Sequence, residues 1–342
     1  ISSDFRYTDL LLPVIVRKCF LISISCGLLD CNPLYVVFFV TPVITPDCRK
    51  KEFRMTACSI CGSESHTLAL SACNTHGRHI LDSSERFDYY RCAQCDNVFV
   101  ANIVADHHFQ EKYYPQGYYD GSGKTSFFTK CAELYYGRGV RIRERMIRKY
   151  AEPGAEKLSI LDVGCGSGSF LELLNGGHYD KYGVDVNPEA IRLCRSKGLT
   201  VFDGDIREED FGGKTFDVIT LWHVLEHVSN PVAFMKRLGA IKKSNGIIVV
   251  SVPNTDSLGF RTGKEWWFHT DAPRHLFLPN AASMAKLVDS AGMQIVDTIH
   301  PKFEFPLDLF WSVRKSPLLL AVYPLYPLFK LFSRETLVFI VK

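Results

Sequence analysis

The chain has 342 residues, 46% of them hydrophobic and 23% charged, with a formal net charge of +3. These are the proportions of a globular protein with room for two domains. They exclude a disordered polyelectrolyte, and the charge gives no hint of a nucleic-acid partner. Twelve cysteines are many for this length. They are not spaced as a disulfide framework, and two pairs have metal-ligand spacing, so the expected compartment is reducing, the cytoplasm. Residues 1–54 differ in character from the rest of the chain. The first methionine is Met55, and the apolar runs Leu10–Val16 and Leu34–Val40 are broken by Arg17, Lys18, Pro33 and Pro42. Neither run reaches the roughly 20 residues of a membrane span, and no signal-peptide order is present. A membrane-associating leader is the alternative to the preferred reading, a non-native or disordered extension that a chain starting at Met55 can do without.

Residues 55–105 carry two C-x2-C knuckles, Cys58-Ser59-Ile60-Cys61 and Cys92-Ala93-Gln94-Cys95. Four thiolates at this spacing can close a tetrahedral zinc site, and a segment this small needs the metal for much of its folding energy. Each knuckle is expected on a hairpin turn, with residues 87–91 and 97–100 as strands around the second. Cys73, His66, His76 and His79 break the pairing and are read as non-ligands. The second knuckle ends in Asp96 where glycine is usual. With no spare ligand position the zinc is structural, and the module is zinc-ribbon-like.

Residues 106–155 connect this module to the rest. An aromatic, glycine-rich stretch, Tyr113 to Gly123, precedes an expected helix, Phe127 to Tyr150, whose later part carries Arg138, Arg141, Arg143, Arg145, Arg148 and Lys149. A lid over an active site and plain packing between domains fit the tyrosines equally. The basic residues read most simply as a solvated helix face.

From residue 156 the pattern alternates strand and helix. Lys157–Leu161 reads as a buried strand, followed by Asp162-Val163-Gly164-Cys165-Gly166-Ser167-Gly168 and the start of a helix. A glycine turn between strand and helix is where a nucleotide-like cofactor docks. Ser169 stands where the third dinucleotide glycine would be, which argues against NAD. Asp185 closes a second strand, 21 residues after Gly164, where a carboxylate can accept both ribose hydroxyls. A third strand, 200–202, leads to Asp205, and a fourth, 216–221, to Trp222-His223-Val224-Leu225-Glu226-His227-Val228. Gly246–Asn254 is a fifth. Asn187-Pro188 and Asn230-Pro231 are helix starts, cap then proline. A further helix runs from Asn280 to Ala291, stopped by Gly292. Gln294–Ile299 and Glu335–Val341 are the last two strands. Between them Phe303 to Phe332 is apolar but cut by Pro306, Pro317, Pro324 and Pro327, so it reads as an insertion. Packing against the sheet edge or a dimer partner is preferred there over a peripheral membrane contact.

These motifs, in this order, resemble the class I S-adenosylmethionine-dependent methyltransferases, in the branch with an L-E-H-V segment after the fourth strand. The resemblance covers roughly Leu158 to Lys342. It implies a Rossmann-like α/β sheet of seven strands, the last antiparallel, over 156–342. By position it puts the methionine end of the cofactor on Gly164, Gly166 and Gly168, with Asp162 orienting it. Asp185 would hold the ribose, Asp205 would meet the adenine amino group, and Ile206 would lie against the adenine ring.

Methyl transfer from a sulfonium is a displacement at carbon with the donor already activated. Positioning and removal of the acceptor's proton are left to the protein. Histidine suits that proton transfer, and the candidates are His223, His227, His269 and His275. His275 is expected to act ahead of His223, because the 266–279 loop rims the acceptor side in similar enzymes. Helix capping is its competing role. Arg274 either holds an anionic acceptor or pairs with Asp271. The acceptor is expected to be a small molecule (a sugar, a quinone-like phenol, or a lipid-like or secondary metabolite), methylated on O or C, with no nucleic acid involved. Two alternatives remain: a nucleic-acid or protein methyltransferase that reads with its ribbon, and a catalytically silent cofactor-binding partner.

Overall fold

The computed structural model describes residues 57–74, 85–101, 127–152, 156–301 and 332–342, with residues 103, 109, 112–114, 312 and 325. The expectations for 1–54, for the glycine-rich stretch after Tyr114 and for nearly all of the 303–332 insertion lie outside them.

Two sheets organise these residues. In the larger, β4 (Leu158–Val163), β5 (Tyr179–Asp185), β6 (Thr200–Asp203), β7 (Phe216–Trp222), β8 (Lys242–Pro253), β10 (Ile295–Ile299) and β11 (Thr336–Val341) lie in the order β10-β11-β8-β7-β4-β5-β6. Pairings β6-β5-β4-β7-β8 are parallel, and β11 is antiparallel to both β8 and β10. The run Ile247 to Val250 of β8 and most of β7 are buried, as expected for strands covered on both faces. After β4 the chain winds to one side through β5 and β6, then crosses to β7 and β8. The order therefore reverses at β4, and a crevice opens at the carboxyl ends of β4, β5 and β7, where ligands bind in open α/β sheets.

The helices begin where their caps dictate. Asn187 accepts from the Glu189 and Ala190 amides at the start of α3 (Pro188–Ser196). Asn230 does the same for Ala233 at α4 (Pro231–Ile241). Ser257 accepts from the Phe260 amide at the short α5 (Leu258–Gly263). The long helix α1 (Phe127–Tyr150) buries Val140 and Ile147. Its Arg143 lies over the Trp222 ring, 4.2 Å from the centroid, so one of its basic residues is turned onto the end of β7. Before α2 (Ser169–Leu173) the glycine turn needs its glycines. Gly168 has φ 75°, and a Cβ there would come within 2.5 Å of Leu199 and 2.9 Å of the Cys194 sulfur.

The smaller sheet is β1 (His66–Cys73), β2 (Arg86–Cys92), β3 (Val98–Val100) and β9 (Phe277–Leu278), in that order. The second knuckle sits in the β2–β3 hairpin, as expected. The first precedes β1, and the residues before 57 lie outside the described ones. β9 comes from the far part of the chain and pairs antiparallel with β3, Phe99 opposite Phe277 and Val98 opposite Leu278. The ribbon sheet is thus completed by residues of the larger domain, and Cys58, Ile60, Cys92 and Phe99 share one apolar core with Leu161, Ile219, Phe277 and Met284.

Asp96 explains its own departure from glycine. It adopts φ 64°, as Gly62 adopts 71° at the matching position of the first knuckle. Aspartate tolerates this region better than most residues. Its side chain bonds Arg91 at 2.7 Å and accepts from Asn280 Nδ2 at 2.6 Å. Asn280 in turn forms a capping box with Ser283 at the start of α6 (Ala281–Ser290). Asn280→Ala removes cap and inter-sheet bond together and should cost about 1–2 kcal/mol. An unchanged urea midpoint would show that neither matters.

Candidate active site

The crevice is lined by Val163 and Gly164 after β4, Val184, Asp185 and Val186 at β5, Gly204 to Arg207 after β6, and Val224 to Phe234 in part after β7. Of the residues expected to hold a cofactor, Gly164, Asp185, Asp205 and Ile206 come together here. Gly166 and Gly168 are not among the crevice's lining residues. Asp185 is 2% exposed, and its two oxygens accept the amides of Gly166 and Asn187, each at 2.9 Å. It braces the glycine turn as well as facing the crevice. Asp162 is buried within the sheet and accepts from Thr220 Oγ1 at 2.6 Å.

Asp205 is shared with Arg207, whose Nε lies 2.9 Å from Oδ1. Burial would push the Asp205 carboxyl up; the Arg207 hydrogen bonds outweigh it and leave it below its usual range. Nothing two residues past an acid in a loop marks such a pair in the sequence.

Past β7 the chain turns sharply. His223 has φ 57°, a backbone state uncommon for a side chain and frequent at functional sites. Its Nδ1 is 3.1 Å from Glu226 Oε1 and its Nε2 3.5 Å from Ser251 Oγ. Its side chain is 18% exposed. Glu226 is wholly buried. Burial pushes its carboxyl up, but the His223 hydrogen bond and the fields of His223, His275 and His227 bring it below the ordinary value. The L-E-H segment is therefore the hub of a histidine cluster. The His227 and His275 rings meet edge to face at 4.6 Å, and His223 stacks on His269 at 5.5 Å.

His275 lies inside this cluster. Its Nδ1 is 2.7 Å from the His269 carbonyl, and its Nε2 faces Glu226 Oε1 at 3.9 Å. Burial holds the His275 imidazole below its usual range, and burial with the charge of His275 brings His227 down to about 3. His275 does not cap α6, which Asn280 caps. Arg274 is buried and paired with Asp271, Nε to Oδ2 at 3.0 Å. Tyr89 of the ribbon donates to the His275 carbonyl at 2.9 Å, and Tyr114 reaches His227 Nδ1 at 3.0 Å. Module and connector thus both end on this cluster.

The four knuckle cysteines close into one cage, with Cys58 and Cys95 sulfurs 3.6 Å apart and Cys61 and Cys92 sulfurs 3.5 Å apart. Sulfurs about 3.7 Å apart are what bonds of ~2.3 Å to one tetrahedral ion require. Cys73 and His66 lie outside the cage among the described residues. His66 instead packs edge-on to Tyr90 and Phe99.

Residues 138–298 match the family model described as a methyltransferase domain. The chain carries a class I S-adenosylmethionine-dependent methyltransferase domain. This domain is 29% identical over 168 residues to a ubiquinone biosynthesis O-methyltransferase of Cereibacter sphaeroides, covering 46% of this chain and 68% of that protein. It is 37% identical over 139 residues to the protein of the same description from Azorhizobium caulinodans, covering 36% and 55%. The chain thus spans between about half and two thirds of the length of these relatives. Among solved structures, magnesium protoporphyrin IX methyltransferase from Synechocystis PCC 6803 with bound SAH gives a TM-score of 0.47 at 16% identity, over 69% of this chain and 99% of that one. A likeness of that size adds nothing to the assignment. No helix among the described residues of the methyltransferase chain is long and apolar enough to cross a membrane.

Proposed function

We propose that this chain transfers the methyl group of S-adenosylmethionine to a hydroxyl oxygen of a small-molecule acceptor, with His223 as the base. The observation that carries the reading is that His223 follows the carboxyl end of β7 and immediately precedes Val224, which lines the same crevice as Gly164 and Asp185. When bound, S-adenosylmethionine supplies a methyl group already activated on sulfur. The protein then has to hold the acceptor in line and take its proton. His223 donates its Nδ1 proton to Glu226 Oε1, so Nε2, whose present neighbour is Ser251 Oγ at 3.5 Å, is the nitrogen that takes the acceptor's proton. Glu226 is a positioning residue that fixes this tautomer. His275, its side chain 9% exposed against 18% for His223, comes second to it as base. The role of the relatives, O-methylation in ubiquinone biosynthesis, favours a phenolic hydroxyl.

In the same reading Gly164, Gly166, Gly168 and Asp162 shape the methionine end, Asp185 takes the ribose hydroxyls, and Asp205 and Ile206 meet the adenine. Cys58, Cys61, Cys92 and Cys95 hold one structural zinc ion, supported by their sulfur separations. The module at 55–105 is joined by the 106–155 connector to the domain at 156–342, and the reduced thiols suit the cytoplasm.

Asp185→Ala should weaken S-adenosylmethionine binding by about 2 kcal/mol in calorimetry, since charge-assisted bonds to ribose and the brace on Gly166 go together. NADH binding tightly where S-adenosylmethionine does not would sink the cofactor assignment. Incubation with a methyl-labelled donor, a panel of phenols and a metabolite extract tests the acceptor. A labelled small-molecule ether is expected; label found only in RNA or protein would overturn the reading.

A further inference from the structure

Glu226, His227 and His275 bring one ligand atom each to within 4.8 Å of the others, away from the cysteine cage. The two imidazoles have fixed tautomers. His275 Nδ1 is 2.7 Å from the His269 carbonyl oxygen, and His227 Nδ1 is 3.0 Å from that of Arg274. A carbonyl oxygen can only accept, so each Nδ1 carries a proton and each Nε2 a lone pair. The third group is a carboxylate with no exposure. Its Oε1 takes the His223 N–H, while its Oε2 has no hydrogen-bond partner among the described residues. A buried carboxylate left with an unsatisfied oxygen beside an imidazole lone pair is costly, unless a positive centre stands between them.

We propose that Glu226, His227 and His275 form a second metal site, which takes a divalent first-row ion of the zinc type. Two imidazoles and one carboxylate suit zinc and its neighbours, whereas magnesium and calcium prefer oxygen alone. The carbonyls behind both Nδ1 atoms are the supports that metal-bound imidazoles ordinarily have. Three protein ligands leave a coordination position open. His227 also lines the crevice, so the site borders the space where small molecules enter. The site stands independently of the methyl-transfer reading, because its readout is metal content and spectrum.

The test is metal analysis of the full-length protein after dialysis against zinc and removal of loosely held ion. About two zinc ions per chain are expected, falling to about one in His275→Gln and in His227→Gln. Cobalt exchange separates the sites. The cage gives thiolate charge-transfer absorption, and the second ion adds visible ligand-field bands without it. Those added bands should vanish in both histidine variants while the charge-transfer band stays. One ion per chain in the unaltered protein, all of it thiolate-bound, overturns the proposal, and this measurement needs no variant to fold. A second ion kept by both variants overturns it equally.

Discussion

His223→Ala lowers turnover by roughly 10² to 10⁴, the range for loss of a general base, while S-adenosylmethionine affinity stays within a few-fold. The split follows from placement. Gly164 and Asp185 line the crevice after β4 and at β5, the part assigned above to the cofactor, and His223 stands at the end of β7. The loss should appear in kcat more than in KM, because proton removal belongs to the transition state. Glu226→Gln gives a smaller fall and a displaced pH profile, since an amide no longer fixes which nitrogen of His223 carries the proton. His275→Gln is the control for the competing assignment. If it abolishes turnover with cofactor binding and the thiolate-bound zinc intact, while His223→Ala remains active, the base is His275 and its burial does not keep it from the acceptor.

The second large effect is at the cage. A Cys92→Ser/Cys95→Ser double variant should lose the thiolate-bound zinc, and with it the charge-transfer band of the cobalt-exchanged protein. Structural zinc contributes on the order of 10 kcal/mol to small modules of this kind, so the hairpin that carries β3 will not hold its form without it. β3 supports β9, Val100 donates to the Leu276 carbonyl at 2.9 Å, and Leu276 donates to the Glu226 carbonyl at 2.8 Å. Loss of zinc therefore reaches the histidine cluster through these short links, and turnover should fall further than cofactor affinity. A double variant that kept its charge-transfer band would remove these cysteines from the metal site.

Most strands of the larger sheet were legible because their signals are local. An apolar run such as Ile247 to Val250 leaves few options, and Asn-Pro at 187–188 and 230–231 announces a helix start. The four cysteines were legible for the same reason, spacing being a local property. What could not be read were relations between distant residues. Phe277-Leu278 is too short to look like a strand, and it becomes one only because β3 offers an edge. Glu226 looks like any exposed acid in a loop; its burial depends on histidines from two segments closing around it. The preference for His275 rested on its place in a loop, whereas exposure and hydrogen bonding separate it from His223. Asp96 looked like a minor lapse from glycine, and its carboxylate proves to tie the ribbon to α6.

The pairing of β3 with β9 also constrains the order of events as the chain is made. The ribbon, with its cysteine cage, emerges from synthesis early, but Phe99 must wait for Phe277. Until then β3, Val98-Phe99-Val100, presents an apolar open edge, the kind that recruits strands from other molecules. Fragments that stop before residue 277 keep this edge for good. A ribbon expressed alone would thus be prone to self-association, and cutting the chain at the apparent boundary near residue 105 separates two parts that share one sheet.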